Sequence, residues 1–313
     1  MTHMLAIFVP MTCKPLCHVT ASALLVWAMQ FPLTVSAQTE VVPGAGPQVE
    51  VEHDSTRVNG TRLAIVGGTV AAGMVAIHIY QHNAWWRGAR GPFHVEEDLR
   101  YAKNIDKLGH LYAANLLTFG LSRSLRWTNV GEEPALVWGA VGSTLFETYI
   151  EVEDGFAVHW GFDRVDFAAD VFGAWYPVAQ HAWPFLRNFN FRFSYLPKTP
   201  GSEGPFPGQT HTVFDDYEGQ TIWLTLTMKN LLPSSWAEVW PSPLCLSFGL
   251  AVRNNLSADR YLTLLIAPDL DLTKIFPADS EFLQSLGAVL NFIHFPLPAV
   301  RVSPNVVWYG LYF

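Results

Sequence analysis

The chain has 313 residues, room for one large domain or two ordinary ones with cores of their own. Half of the residues are hydrophobic, 14% are aromatic and only 15% are charged, against about 25% charged in an ordinary soluble domain; lipid contact or a broad partner interface is expected. The formal net charge is −8 and Lys and Arg form no cluster, which excludes nucleic acid as a partner because phosphates need a basic footprint.

Residues 1–37 read as a signal peptide. Lys14 and His18 precede the apolar run Ala21 to Met29, and Val35-Ser36-Ala37 puts small residues where signal peptidase needs them before Gln38. An uncleaved anchor is the alternative. Leu16 before Cys17 does not fit a lipoprotein signal, where a small residue is expected. With Cys13 and Cys17 in the leader, Cys245 stands alone in the mature chain, so neither a disulfide nor a cysteine-based metal site forms within it.

Residues 38–60 are polar and rich in Gly, Pro and Val, as a linker is. Leu63 to Tyr80 then runs without a charge. Eighteen apolar residues with Gly67, Gly68 and Gly73 suit either a short membrane span or a buried helix in a bundle. After a polar and aromatic connection, a second helix is expected over Ala102 to Trp127, with Leu108, Leu111, Tyr112, Leu116 and Phe119 as its buried stripe. Glu132-Glu133-Pro134 opens a third, with acids and Pro in the first turn, running to about Ile150. A turn through Glu153-Asp154-Gly155 leads to a fourth, about Asp163 to Gln180.

After Pro184 the period changes to two. Phe189, Phe191, Phe193 and Tyr195 face one way, and Asn190, Arg192 and Ser194 the other. The same alternation holds for Ile222 to Met228, for Leu244 to Val252 and for Val307 to Phe313. Five clear strands are counted, with doubtful ones among residues 210–214 and 287–303. The class is therefore α+β: a four-helix domain over residues 61–183, then an antiparallel β-rich domain over 184–313. The β segment is either a sheet packed on the helices or a small or partial membrane barrel, whose strands show this alternation and commonly end in an aromatic residue.

The helices carry a polar constellation. Asp106 and His110 lie one turn apart, with Lys107 three residues from His110. Glu147 sits in an apolar run, and Asp163, Asp166 and Asp170 form one stripe. Carboxylates on an apolar stripe are costly unless paired, protonated or bound to metal. The helices have reason to bring Lys107, His110 and Arg164 against Glu147, Asp166 and Asp170. The result is either a buried ion-pair network or a site. As a site, Asp106, Lys107, His110, Glu147, Asp166 and Asp170 are the catalytic candidates, and His110, Glu147, Asp166 and Asp170, with His94 from the connecting loop, are the candidate ligands of a divalent metal. No GxSxG, HExxH or CxxC motif occurs.

On these residues the chain resembles the YfiM-type predicted periplasmic lipoprotein family, in its long Bacteroidetes-like form. The stretches that carry the resemblance are Ala84-Trp85-Trp86, Phe93-His94, Asp106-Lys107 with His110, Glu151 to Phe156, Trp160-Gly161-Phe162, Asp166 to Gly173 and Asp216 to Leu224. More distantly, the helical half is similar to VanZ-like membrane proteins, which share a D-K-x-x-H helix, a Glu on the next and a final D-x-x-x-N-x-x-G helix; Asp170 stands here where that pattern has Asn. The resemblance implies a role in the cell envelope, at the outer membrane or its periplasmic face, and no reaction. The expectation is a membrane-associated protein that binds a lipid, a glycan precursor or an envelope protein complex. The alternatives are an enzyme on a lipid-linked or cell-wall substrate and a structural subunit.

Overall fold

The computed structural model describes residues 57–313 apart from 89, 98, 199–210, 255–259 and 278. The signal peptide and most of the linker lie outside the described residues. Four long helices come first: α1 (Gly60–Ala84), α2 (Ile105–Trp127), α3 (Glu132–Phe156) and α4 (Arg164–Ala182). Six strands follow: β1 (Phe189–Tyr195), β2 (Gln220–Leu226), β3 (Leu244–Arg253), β4 (Tyr261–Leu270), β5 (Leu297–Ser303) and β6 (Val307–Tyr312). Two short helices, α5 (Met228–Leu231) and α6 (Ser234–Val239), separate β2 from β3, and α7 (Glu281–Leu290) separates β4 from β5.

The helices pack as three plus one. α2 runs along both α3 and α4, while α1 touches the rest through a narrow stripe. The two ends of α1 are nevertheless tied down. Asn59 caps it and donates its N–H to the Thr128 carbonyl at 2.8 Å, and Arg62 reaches the Trp127 carbonyl at 3.0 Å. At the far end His78 bonds the Tyr149 hydroxyl, and Trp86 donates to Asp154 at 2.6 Å. Between these ties Leu63, Ile65, Met74, Val75 and Ile79 are exposed.

Local backbone chemistry moves three expected boundaries. α2 begins at Ile105, not at Ala102, because Ala102, Lys103 and Asn104 all take positive φ, a turn of the opposite hand that no right-handed helix continues. α3 runs through Glu153-Asp154-Gly155 to Phe156 instead of turning there. Residues 210–214 form no strand among those described; 287–303 holds the end of α7 and one strand, β5.

Both halves bury many polar groups beside small apolar clusters and leave large apolar side chains outside. The buried positions of α2 and α3 include Ala114, Asn115, Thr118, Ser122, Gly139 and Ser143, while the stripe expected to be core, Leu108 to Phe119, is only partly covered. Thr118 donates to the Ala174 carbonyl and Ser143 to the Ala114 carbonyl, each at 2.9 Å. Small residues and hydroxyls thus sit at the helix crossings, which lets the backbones approach closely, while Trp138, Leu145, Phe172 and Trp175 lie outside.

The sheet is an antiparallel meander in the order β1-β2-β3-β4-β5-β6. Its first edge is met by the segment before β5, where Phe193 donates to the Phe292 carbonyl at 3.0 Å and accepts from His294 at 2.9 Å. The sheet is not closed into a barrel. Register aligns Phe191, Leu224, Phe248, Ile266, Val300 and Trp308 in one row across all six strands. That face stays half-buried to exposed, whereas Arg192, Ser194, Thr221, Thr225, Ser247 and Asp269 on the other face are buried. Trp223 fits beneath because Gly249 opposite it has no Cβ, which would stand 2.7 Å from its ring.

Candidate functional site

The start of α2, the end of α3 and the start of α4 meet at one end of the bundle. Gly173 sets their distance: a Cβ there would fall 2.1 Å from the Leu111 carbonyl, so α4 lies against the α2 backbone. This contact seats Asp170, one turn back on α4, beside His110, the neighbour of Leu111.

The first half of the site surrounds an ammonium. Lys107 donates to Asp106 and Asp163 at 2.9 Å and to Asp166 at 3.0 Å. Asp163 also caps α4, accepting from the Val165 N–H at 2.7 Å, and its own N–H donates to Glu151 at 3.1 Å. The second half surrounds an imidazole. His110 Nδ1 lies 3.0 Å from Asp170 and 3.8 Å from Glu151, and Nε2 lies 4.0 Å from Asp166. Nitrogen and carboxylate oxygens of His110, Glu151 and Asp170 come within 4.8 Å of one another. The carboxylates are buried, while the His110 side chain keeps 24% of its surface exposed.

Charge is out of balance here. Seven carboxyl groups (Asp106, Glu147, Glu151, Asp154, Asp163, Asp166, Asp170) share the space with one ammonium and one imidazole. Burial, reinforced by Asp166, pushes Asp106 up to about 6 against the pull of Lys107. Burial likewise pushes Glu151 up to about 8 and Asp154 up to about 7, and raises Glu147 and Asp170. Burial works against charge on His110, yet Asp170, Asp166 and Glu151 together raise its pKa well above the ordinary imidazole value. One buried oxygen on each of Asp106 and Asp170 has no hydrogen-bond partner. An array with more carboxyl groups than bases suits a divalent cation with mixed nitrogen and oxygen ligands.

The structure thus brings together Asp106, Lys107, His110, Asp166 and Asp170, with Glu147 beside Asp170. His94 is turned elsewhere, with its Nε2 on the Trp160 carbonyl at 2.9 Å. Arg164 also points away and pairs with Glu97 at the surface. Glu151, Asp154 and the second role of Asp163 escape sequence reasoning. The helix expected to end near Ile150, with a turn at residues 153–155, left Glu151 beyond it; its i+4 spacing from Glu147, one turn along the same face of the longer helix, signals it.

Residues 96–181 match the model of a family described as predicted periplasmic lipoprotein (DUF2279). That stretch is similar to envelope proteins of unknown function. It contains every residue of the site, all of α2 and α3, and α4 but for its last residue. The match is consistent with a membrane-associated protein of the cell envelope that faces the periplasm. No curated protein and no solved structure matches the chain.

Proposed function

We propose that this is a membrane-associated envelope protein whose helical bundle holds a divalent cation between His110, Glu151 and Asp170, with Asp166 and Glu147 next to them. The observation that carries the reading is the convergence of those three ligating groups among seven carboxyls that two bases cannot neutralise. Imidazole with carboxylates favours Zn²⁺ or Mn²⁺ over Ca²⁺. The exposed side of His110 leaves the cation reachable by an oxygen-rich ligand such as a lipid headgroup or glycan precursor. Membrane association rests on the large apolar side chains that both halves leave outside and on α1, the one helix among the described residues long and apolar enough to cross a membrane. We extend the reading to a VanZ-like bundle and to a location at the outer membrane or its periplasmic face.

Metal analysis of the chain purified in mild detergent tests it. About one equivalent of Zn²⁺ or Mn²⁺ is expected, lost in His110→Ala and Asp170→Asn. A cation at about 1,000 times its Kd adds about 4 kcal/mol to the folded state, so chelation lowers the melting temperature. Metal-free protein whose melting is indifferent to chelator and to added Zn²⁺ or Mn²⁺ would overturn the cation. In that event the protonatable carboxyls of Asp106, Asp154 and Glu151, at about 6, 7 and 8, favour the second reading, an acid/base site.

A further inference from the structure

A second candidate site lies further along α2 and α4, where they meet the sheet. Between α2, α4, β1 and α7 is a cavity of about 320 Å³, the size class of small-molecule pockets. Phe119, Phe191 and Phe292 form apolar wall, and Arg192, Cys245 and Ala288 line it from β1, β3 and α7. None of these is part of the carboxylate cluster.

Hydrogen-bond accounting defines what fits. Arg192 is 3% exposed; its Nη1 donates to Asp269 and to the Leu270 carbonyl, both at 2.9 Å, its Nε is sealed in without a partner, and its Nη2, which makes no hydrogen bond among the described residues, is the donor left for the cavity. The neighbouring acceptors are already occupied. Asp269 takes Arg192 and the Leu270 N–H on one oxygen, and His294 and Ser247 on the other. Asp271, also in the lining, accepts from Thr273 and Asn291 and pairs with Lys274. Donors are left over and carboxylate acceptors are not, so the complementary ligand is rich in acceptors. A buried, half-used guanidinium is suited to a planar or tetrahedral oxyanion.

We propose that this cavity binds a small ligand through a carboxylate or phosphate group held by Arg192, with the rest of the ligand among the phenylalanines. Arg187 lines the same cavity, close in sequence to the exposed Trp183 and Phe185. The oxyanion therefore comes either from a free metabolite-sized anion or from the headgroup of a lipid.

Calorimetric titration of the full chain with inorganic phosphate and with acetate, at constant ionic strength, tests the site. Saturable binding of at least one is expected, weakened tenfold or more by Arg192→Met. Because that variant strips Asp269 of its partner, Ala288→Phe serves as the second: it fills the cavity from α7, leaves the Arg192–Asp269 pair intact, and weakens binding equally. Vesicles separate the sources. Preference for phosphatidylglycerol over phosphatidylcholine vesicles, competed by phosphate, assigns a lipid headgroup; phosphate binding with no vesicle preference assigns a soluble anion. No saturable binding of either anion, or binding that Ala288→Phe leaves unchanged, overturns the proposal.

Discussion

The bundle and the sheet each bury carboxylates, and the two regions treat them in opposite ways. In the sheet a single acid, Asp269, is 1% exposed and faces two bases: Arg192 at 2.9 Å and His294 at 2.8 Å. Burial alone would raise its pKa, but the bond to His294 and the charge of Arg192 win and hold it below the ordinary carboxylate value. In the bundle, carboxyls outnumber bases and burial wins, so Asp106, Asp154 and Glu151 stay up at about 6, 7 and 8. Desolvation is common to both places. The ratio of acids to bases within hydrogen-bond reach decides the sign: the sheet's carboxylate is fully paired by the bases around it, whereas the bundle's carboxylates are in surplus.

The largest test of that contrast is removal of an acid from each. Asp269→Ala leaves a guanidinium and an imidazole buried without their partner and is expected to cost about 3–5 kcal/mol, read as the denaturant midpoint. Glu147→Gln in the metal-free bundle removes one of several repelling acids and is expected to be neutral or to stabilise by about 1 kcal/mol. Equal losses in both would end the comparison.

Geometry comes next. Gly173→Ala forces a methyl group into the Leu111 carbonyl and is expected to cost about 1–3 kcal/mol as overpacking does, while moving Asp170 away from His110. Loss of bound metal together with stability would tie site and helix crossing to one contact; unchanged metal content would separate them.

The pH dependence should have opposite signs. For Asp269 the folded pKa lies below the ordinary 3.8, so its contribution is complete above that value and is lost as pH falls through the depressed one. For Asp106, Asp154 and Glu151 the folded values lie above 3.8, 3.8 and 4.5. Their contribution is complete below about pH 4 and is lost as pH rises through about 6 to 8. Thermal melts of metal-free chain should therefore weaken between pH 5 and 8, and added Zn²⁺ or Mn²⁺ should restore stability at the upper end. A flat profile there would mean the bundle's acids are paired in some other way.

The smallest effect concerns the surface. Trp138 is 64% exposed, so Trp138→Ser is expected to change stability in detergent by no more than about 0.5 kcal/mol. Its affinity for lipid vesicles should fall a few-fold in a flotation assay. A stability loss without a change in flotation would place Trp138 against protein instead.

Much of this was legible in the chain. The switch from a period near 3.6 to a period of 2 at Pro184 locates the α+β order, because each secondary structure repeats its side-chain directions at its own interval. The i, i+3 and i+4 spacings of Asp106, Lys107 and His110, and of Asp163, Asp166 and Asp170, place those groups on common faces before any fold is known. Composition also foretold surplus apolar surface. Periodicity, however, says only that two faces differ; it is silent on which one turns inward. Arg192 and Ser194 occupy the polar face of β1 whether that face meets water or the core, and only the packing of the folded chain around the sheet put them inside. The pairing of Arg192 with Asp269, 77 residues apart, and of His110 with Asp170, 60 apart, has no local signature. Such contacts exist because strands and helices close on one another in three dimensions, where helix crossings such as Gly173 on Leu111 set distances that sequence spacing does not encode.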